Sequence, residues 1–133
     1  MKYLTTGIIL LSVFFISCSD SILSQLSGKW QLQSITEGSV VTPNDTIFYN
    51  FENELFQYQI YSPSSGIYRN ECGYNDCDGK TIRLEFENNP VPIDSFIIYT
   101  DWTARVRIFT VDGVSSSHLV LSSEGKTYQF RKF

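Results

Sequence analysis

Methionine occurs once in this chain, as Met1, and histidine once, as His118. A single imidazole leaves no partner for a histidine-based metal site, and zinc would want further soft or imidazole ligands. Positive charge is scarce, with 10 Lys and Arg against 14 Asp and Glu and a net charge of −4. Such a balance carries no electrostatic footprint for nucleic acid or for anionic lipid. The apolar run Leu4 to Ile16 is thirteen residues, whereas a membrane-spanning helix needs about 20. No stretch beyond that run sustains a 3.6-residue period, which argues against a helical core. No Gly-x-Ser-x-Gly is present either, so the run Ser115-Ser116-Ser117-His118 reads as a solvated loop rather than a nucleophile and its base.

What the chain does have is aromatic and β-forming side chains, with aromatics at 15% of the sequence. These suit a pleated, half-buried surface. From Lys29 onward the pattern has period two. Trp30 and Leu32 alternate with Lys29, Gln31 and Gln33, and Phe56, Tyr58 and Ile60 alternate with Gln57 and Gln59. In Lys80 to Glu87, Ile82, Leu84 and Phe86 oppose Thr81, Arg83 and Glu85. In Thr103 to Val111, the pattern predicts Val106 and Ile108 inward and Arg105 and Arg107 outward. Tyr128 and Phe130 complete the inward set. Turns are expected at Gly38 to Asp45, at Asp112-Gly113 and at Ser123-Glu124-Gly125. Eight to nine short strands at regular spacing predict an all-β antiparallel fold, and closure into an up-and-down eight-stranded barrel would remove exposed edges.

Met1-Lys2-Tyr3, the apolar run and then Ser17-Cys18 have the layout of a secretory signal. The cysteine at the cleavage point resembles the lipobox of bacterial lipoproteins. That resemblance implies a signal peptide over 1–17, acylation of Cys18 as a palmitate-type anchor, and a lipidated tether over 18–27. Loss of Lys2 would take the charge from −4 to −5. Ser19 after Cys18 gives no inner-membrane retention signal, so the expected location is the cell envelope, lipid-anchored in the outer membrane.

Leu26-Ser27-Gly28-Lys29-Trp30 resembles the Gly-x-Trp motif that opens the first strand of lipocalins, and Arg131 stands in the last strand. Thr100-Asp101-Trp102 is similar to the Thr-Asp-Tyr element of larger lipocalins. Over 28–133 the chain resembles the small lipocalin-like lipoproteins of Gram-negative gut bacteria, a family without an assigned function. The resemblance implies a lipocalin-like β-barrel domain with Arg131 stacked on Trp30 at one end, as packing and not as a ligand site.

Cys72 and Cys77 bracket four residues. In an oxidising envelope a disulfide is the expected state, with free thiols or a metal as the alternatives. Placing Gly79 at the sixth position of a calcium loop would put Tyr74 at the first, where an oxygen ligand is required. That segment therefore reads as a polar hairpin tip. Asp94, Asp101, Glu85 and Glu87 form no catalytic pair in the pattern. The expectations are no catalytic residue, no metal and no cofactor, and a binding role rather than an enzyme. One reading is a small hydrophobic ligand held among Phe56, Tyr58 and Phe86. The other is a membrane-tethered protein-interaction module with a filled barrel. The partners are then the membrane, through the lipid anchor, and a small hydrophobic ligand or an envelope protein, with no nucleic acid.

Overall fold

The computed structural model describes residues 22–87 and 93–133. The signal segment and Cys18 lie outside the described residues. Among the described residues a one-turn helix α1 (Leu23–Leu26) leads into nine strands: β1 (Gly28–Glu37), β2 (Val40–Pro43), β3 (Ile47–Glu52), β4 (Leu55–Ser62), β5 (Ile67–Asp78), β6 (Thr81–Phe86), β7 (Val106–Val114), β8 (His118–Ser123) and β9 (Lys126–Lys132). A second one-turn helix, α2 (Asp94–Ile97), lies between β6 and β7. β1 pairs antiparallel with β2, β3 and β9, from β3 to β9 neighbours pair antiparallel in chain order, and the β1–β9 pairing closes the sheet. Closure pairs both edges of the barrel strands and leaves only the outer edge of the short, exposed β2 unpaired among the described strands.

The barrel has eight positions because β2 and β3 share one. β2 pairs with Ser34–Glu37 of β1, and β3 pairs with Gly28–Gln31 of the same strand. Between them the Asn44 side-chain carbonyl accepts from the amides of Thr46 and Ile47, at 3.0 and 3.1 Å. Such an Asx turn breaks a ladder locally without ending the sheet. The expected turn over Gly38 to Asp45 is therefore shorter, since Val40 to Pro43 are strand.

Three other expectations are corrected. Cys72 is a free, exposed thiol and forms no bridge with Cys77. Both sit in the one continuous strand β5, opposite Gln57 and Ile82 respectively. Five residues of strand separate them by about 17 Å and put their side chains on opposite faces, far beyond the about 7 Å limit for a disulfide. Asp112-Gly113 is not a turn but a bulge within β7, where the register to β8 shifts between Val111 and Gly113. Around that bulge β7 also takes the opposite phase: Arg107, Phe109 and Val111 are buried while Ile108 is exposed. Burying Phe109 and Val111 outweighs burying the smaller Val106 and Ile108, and Arg107 follows by parity.

One end of the barrel is closed by its own first turn. Trp30 is fully buried, and its indole N–H donates to the Leu26 carbonyl at 2.7 Å, so α1 caps that end. The cation on Trp30 is Lys132, whose Nζ stands 4.5 Å from the ring centroid, and not Arg131. The register explains the exchange: Trp30 faces Lys132 and Gln31 faces Arg131. Arg131 thus points outward, where its Nε donates to Gln31 Oε1 at 3.0 Å.

Candidate functional site

The opposite end, the mouth, collects the β6–β7 connection and the β8–β9 hairpin. Glu124 and Gly125 at that hairpin tip have φ of 53° and 77°, the positive values that a two-residue antiparallel turn requires. The connection supplies Ile93, Phe96 and Trp102, all buried in the same core as the strand residues. Phe96 heads inward from α2, meeting Tyr58 at 5.7 Å and Phe86 at 5.7 Å between ring centroids. Trp102 lies parallel to Phe56 at 6.0 Å and meets Phe86 at 4.5 Å. Its indole N–H donates to the Tyr49 hydroxyl at 3.1 Å. The turn holding this segment is local: the Thr100 hydroxyl donates to the Ile97 carbonyl and accepts from the Trp102 amide.

Phe56, Tyr58 and Phe86, the residues expected to wall a pocket, are thus brought together. What they enclose is the connection's own Trp102 and Phe96. One concavity, of about 580 Å³, lies at the Trp30 end between Lys29, Asn50, Gln57 and Cys72. A smaller one of about 320 Å³ lies at the mouth, lined by Ile35, Glu37, Thr42, Asp101 and Lys126.

Beneath the mouth sits a cluster built around Arg107, which is only 3% exposed. Its Nη2 donates to the Tyr128 hydroxyl at 2.6 Å and its Nε to Ser123 Oγ at 3.2 Å. Asp101, in the connection just before Trp102, brings its carboxylate to 3.4 Å from Nη1, and Glu124 lies 3.3 Å from Nη2. Tyr128 in turn donates to Asp101 Oδ2, and Lys126 stands 3.6 Å from the same oxygen. Burial disfavours the Arg107 cation, but Tyr128, Asp101, Tyr49 and Glu124 outweigh it and hold its pKa above the ordinary value. Burial, with the Asp101 hydrogen bond and charge, pushes the Tyr128 hydroxyl well above its usual range. Burial and neighbouring acids do the same to Tyr49 and Tyr58. The cluster is therefore a fixed guanidinium and neutral phenols with two carboxylates, Glu124 from the β8–β9 hairpin and Asp101 from the connection.

The chain matches the lipocalin-like domain family over residues 10–133. It belongs to that family. A lipocalin-like protein from Bacteroides uniformis is 28% identical, with a TM-score of 0.70, over 82% of this chain and 99% of that one. An uncharacterized protein from Bacteroides eggerthii is 26% identical, with a TM-score of 0.67, over 81% of this chain and 99% of that one. No curated protein matches.

Within this lipocalin-like barrel, sequence reasoning missed Arg107 as an interior residue. The signal was its phase with Phe109 and Val111, two and four residues on, against the competing alternation of Val106 and Ile108. Thr100-Asp101-Trp102 sits at the mouth, at the end opposite the Gly-x-Trp motif. The residues of the other candidate clusters stay dispersed or structural. Glu85 pairs with Arg83 at 2.7 Å and Arg105 at 3.1 Å on the outer face. Asp94 begins α2, and His118 is exposed with Ser117 Oγ 2.8 Å from its Nδ1.

Proposed function

We propose that the chain is an envelope lipoprotein, anchored to the outer membrane through acylated Cys18, whose barrel binds a small hydrophobic ligand at the mouth. The role is binding and not catalysis. One observation carries the reading. The aromatic floor formed by Tyr49, Phe56, Tyr58 and Phe86 is covered by side chains of a single connection, Ile93 to Trp102, and not by a barrel strand. A connection is the part of such a fold that moves at least cost, because no ladder of backbone hydrogen bonds holds it. Titration with a fluorescent fatty acid tests this directly, read by its emission and by quenching of Trp102. Saturable micromolar binding is expected, and it should be lost when Phe56 or Phe86 is replaced by Glu in a variant that still folds. Absence of saturation in the wild type rules the reading out.

A second reading, a membrane-tethered protein-interaction module, is favoured by a different observation. The interior is filled in this structure, and Ile67, Tyr68, Ile98 and Tyr99 are exposed. Exposed apolar groups of this kind are suited to a protein contact. For both readings, Cys18→Ala should release the protein from membranes or block its processing, and membrane retention of that variant would remove the anchor.

A further inference from the structure

We propose that Arg107 and Tyr128 form a carboxylate site at the barrel mouth, occupied in this structure by the protein's own Asp101, and that the ligand is an amphipathic carboxylate which displaces Asp101 and Trp102 together. This rests on the ligand reading above and names its chemical class.

The cluster is more strongly built than a loop anchor requires. Arg107 and Tyr128 are both nearly inaccessible, at 3% and 1% exposure, and both belong to barrel strands. The Arg107 fork is spread over Tyr128, Ser123, Glu124 and Asp101, so strand and hairpin groups hold it in place even without the connection. Ser123 is itself fixed, since its hydroxyl donates to the Ile108 carbonyl at 2.6 Å. A guanidinium pre-oriented in this way, with a phenol beside it, presents several donors to one carboxylate, the arrangement that makes charge-assisted hydrogen bonds strong.

The group filling it resembles a ligand in chemistry. Asp101 offers a carboxylate to Arg107, Tyr128 and Lys126. The next residue, Trp102, carries the apolar part down to Phe56 and Phe86. A charged head at the mouth followed at once by an apolar body in the barrel describes a fatty-acid-like molecule equally well. The mouth concavity touching Asp101 and Lys126 gives an incoming carboxylate a place beside the pair it would replace. The exchange is neutral in charge: one carboxylate leaves Arg107 for water as another arrives, so the buried cation is never left unpaired.

The test compares a fluorescent polyene fatty acid with its methyl ester, which shares the apolar chain but lacks the charge. The chain used is 18–133 carrying Cys18→Ala, so that no acyl anchor competes, and the barrel still closes through β1 and β9. The acid should bind at least tenfold more tightly than the ester. Asp101→Asn, which removes the internal competitor and loosens the connection, should tighten the acid by a further several-fold and the ester by clearly less. Arg107→Gln should abolish the preference, and Tyr128→Phe, which deletes only a hydroxyl, should reduce it if the arginine variant fails to fold. A second readout is thermal: Asp101→Asn should melt below the wild type and be restored by the acid but not by the ester. Equal binding of acid and ester in the wild type and in Asp101→Asn overturns the carboxylate site and leaves the apolar ligand standing. Binding of neither probe to either protein overturns both.

Discussion

At the residue scale, Gly73 is required by contact and not by backbone torsion. A Cβ built there would lie 1.9 Å from the Glu85 carbonyl oxygen and 2.8 Å from the Phe86 Cα. Both obstacles are backbone of the neighbouring strand β6 and cannot rotate away. Gly73→Ala should therefore cost about 3 kcal/mol in chemical denaturation, and an unchanged midpoint would contradict the packing described. Glu71 faces Tyr58 across the strand pair. Burial, and the charge of Glu87, raise its pKa above 4.5, with the Cys72 amide opposing. A raised carboxyl pKa means the folded state prefers the proton. Its contribution is present below the ordinary value and is lost as pH rises through the folded value. Glu71→Gln should therefore stabilise at pH 7 by on the order of 0.5 kcal/mol after solvent screening, with the gain vanishing below about pH 4. Melting curves of both proteins across that range check the sign. The exchange of Arg131 for Lys132 over Trp30 belongs to this scale too. The motif announces a cation near the tryptophan, but a one-residue step along a strand moves a side chain to the other face.

At the element scale, the β6–β7 connection is the piece that decides what the barrel contains. Trp102 meets Phe56, Tyr58, Phe86 and Phe109, so Trp102→Ala should cost about 3–5 kcal/mol. Near-UV circular dichroism and denaturant melts would report it, and a loss under 1 kcal/mol would mean the connection is not packed as described. In β5, the twelve-residue strand keeps Cys72 on the outside. Native protein should consume thiol reagent at Cys72 without reductant, and Cys72→Ser should remove that reaction; a native wild type inert to the reagent would contradict the exposed thiol. Both elements mislead at the level of sequence for stated reasons. Ser95 to Tyr99 is an apolar run too short to show a period, so its one helical turn is invisible. The Cys72–Cys77 spacing suggests a loop until the pairing of β5 with β4 and β6 shows it to be continuous strand.

For the whole molecule, burial of Tyr49, Tyr58 and Tyr128 makes alkaline stability a global property. Their hydroxyls are held protonated above the ordinary value of 10.0. Each therefore contributes stability below about pH 10 that is lost as pH rises further. Absorbance titration should show these three of the eight tyrosines ionising only together with loss of near-UV dichroism. Smooth ionisation near pH 10 in folded protein would contradict their burial. The alternation of Trp30 with Leu32, of Phe56 with Tyr58, and of Ile82 with Leu84 and Phe86 by itself determined an all-β barrel and most of its inner face, because a period of two admits one buried side per strand. The Gly-x-Trp opening likewise determined which end is sealed by Trp30. Only the tertiary structure decided the phase of β7, because Val106 with Ile108 and Phe109 with Val111 are alternatives that local pattern weighs almost equally. The choice is made by the bulge at Gly113 and by four partners that compensate a buried Arg107, contributed by Asp101, Ser123, Glu124 and Tyr128. Ser123, Glu124 and Tyr128 are distant from Arg107 in the chain, so the site at the mouth exists only once the barrel has closed.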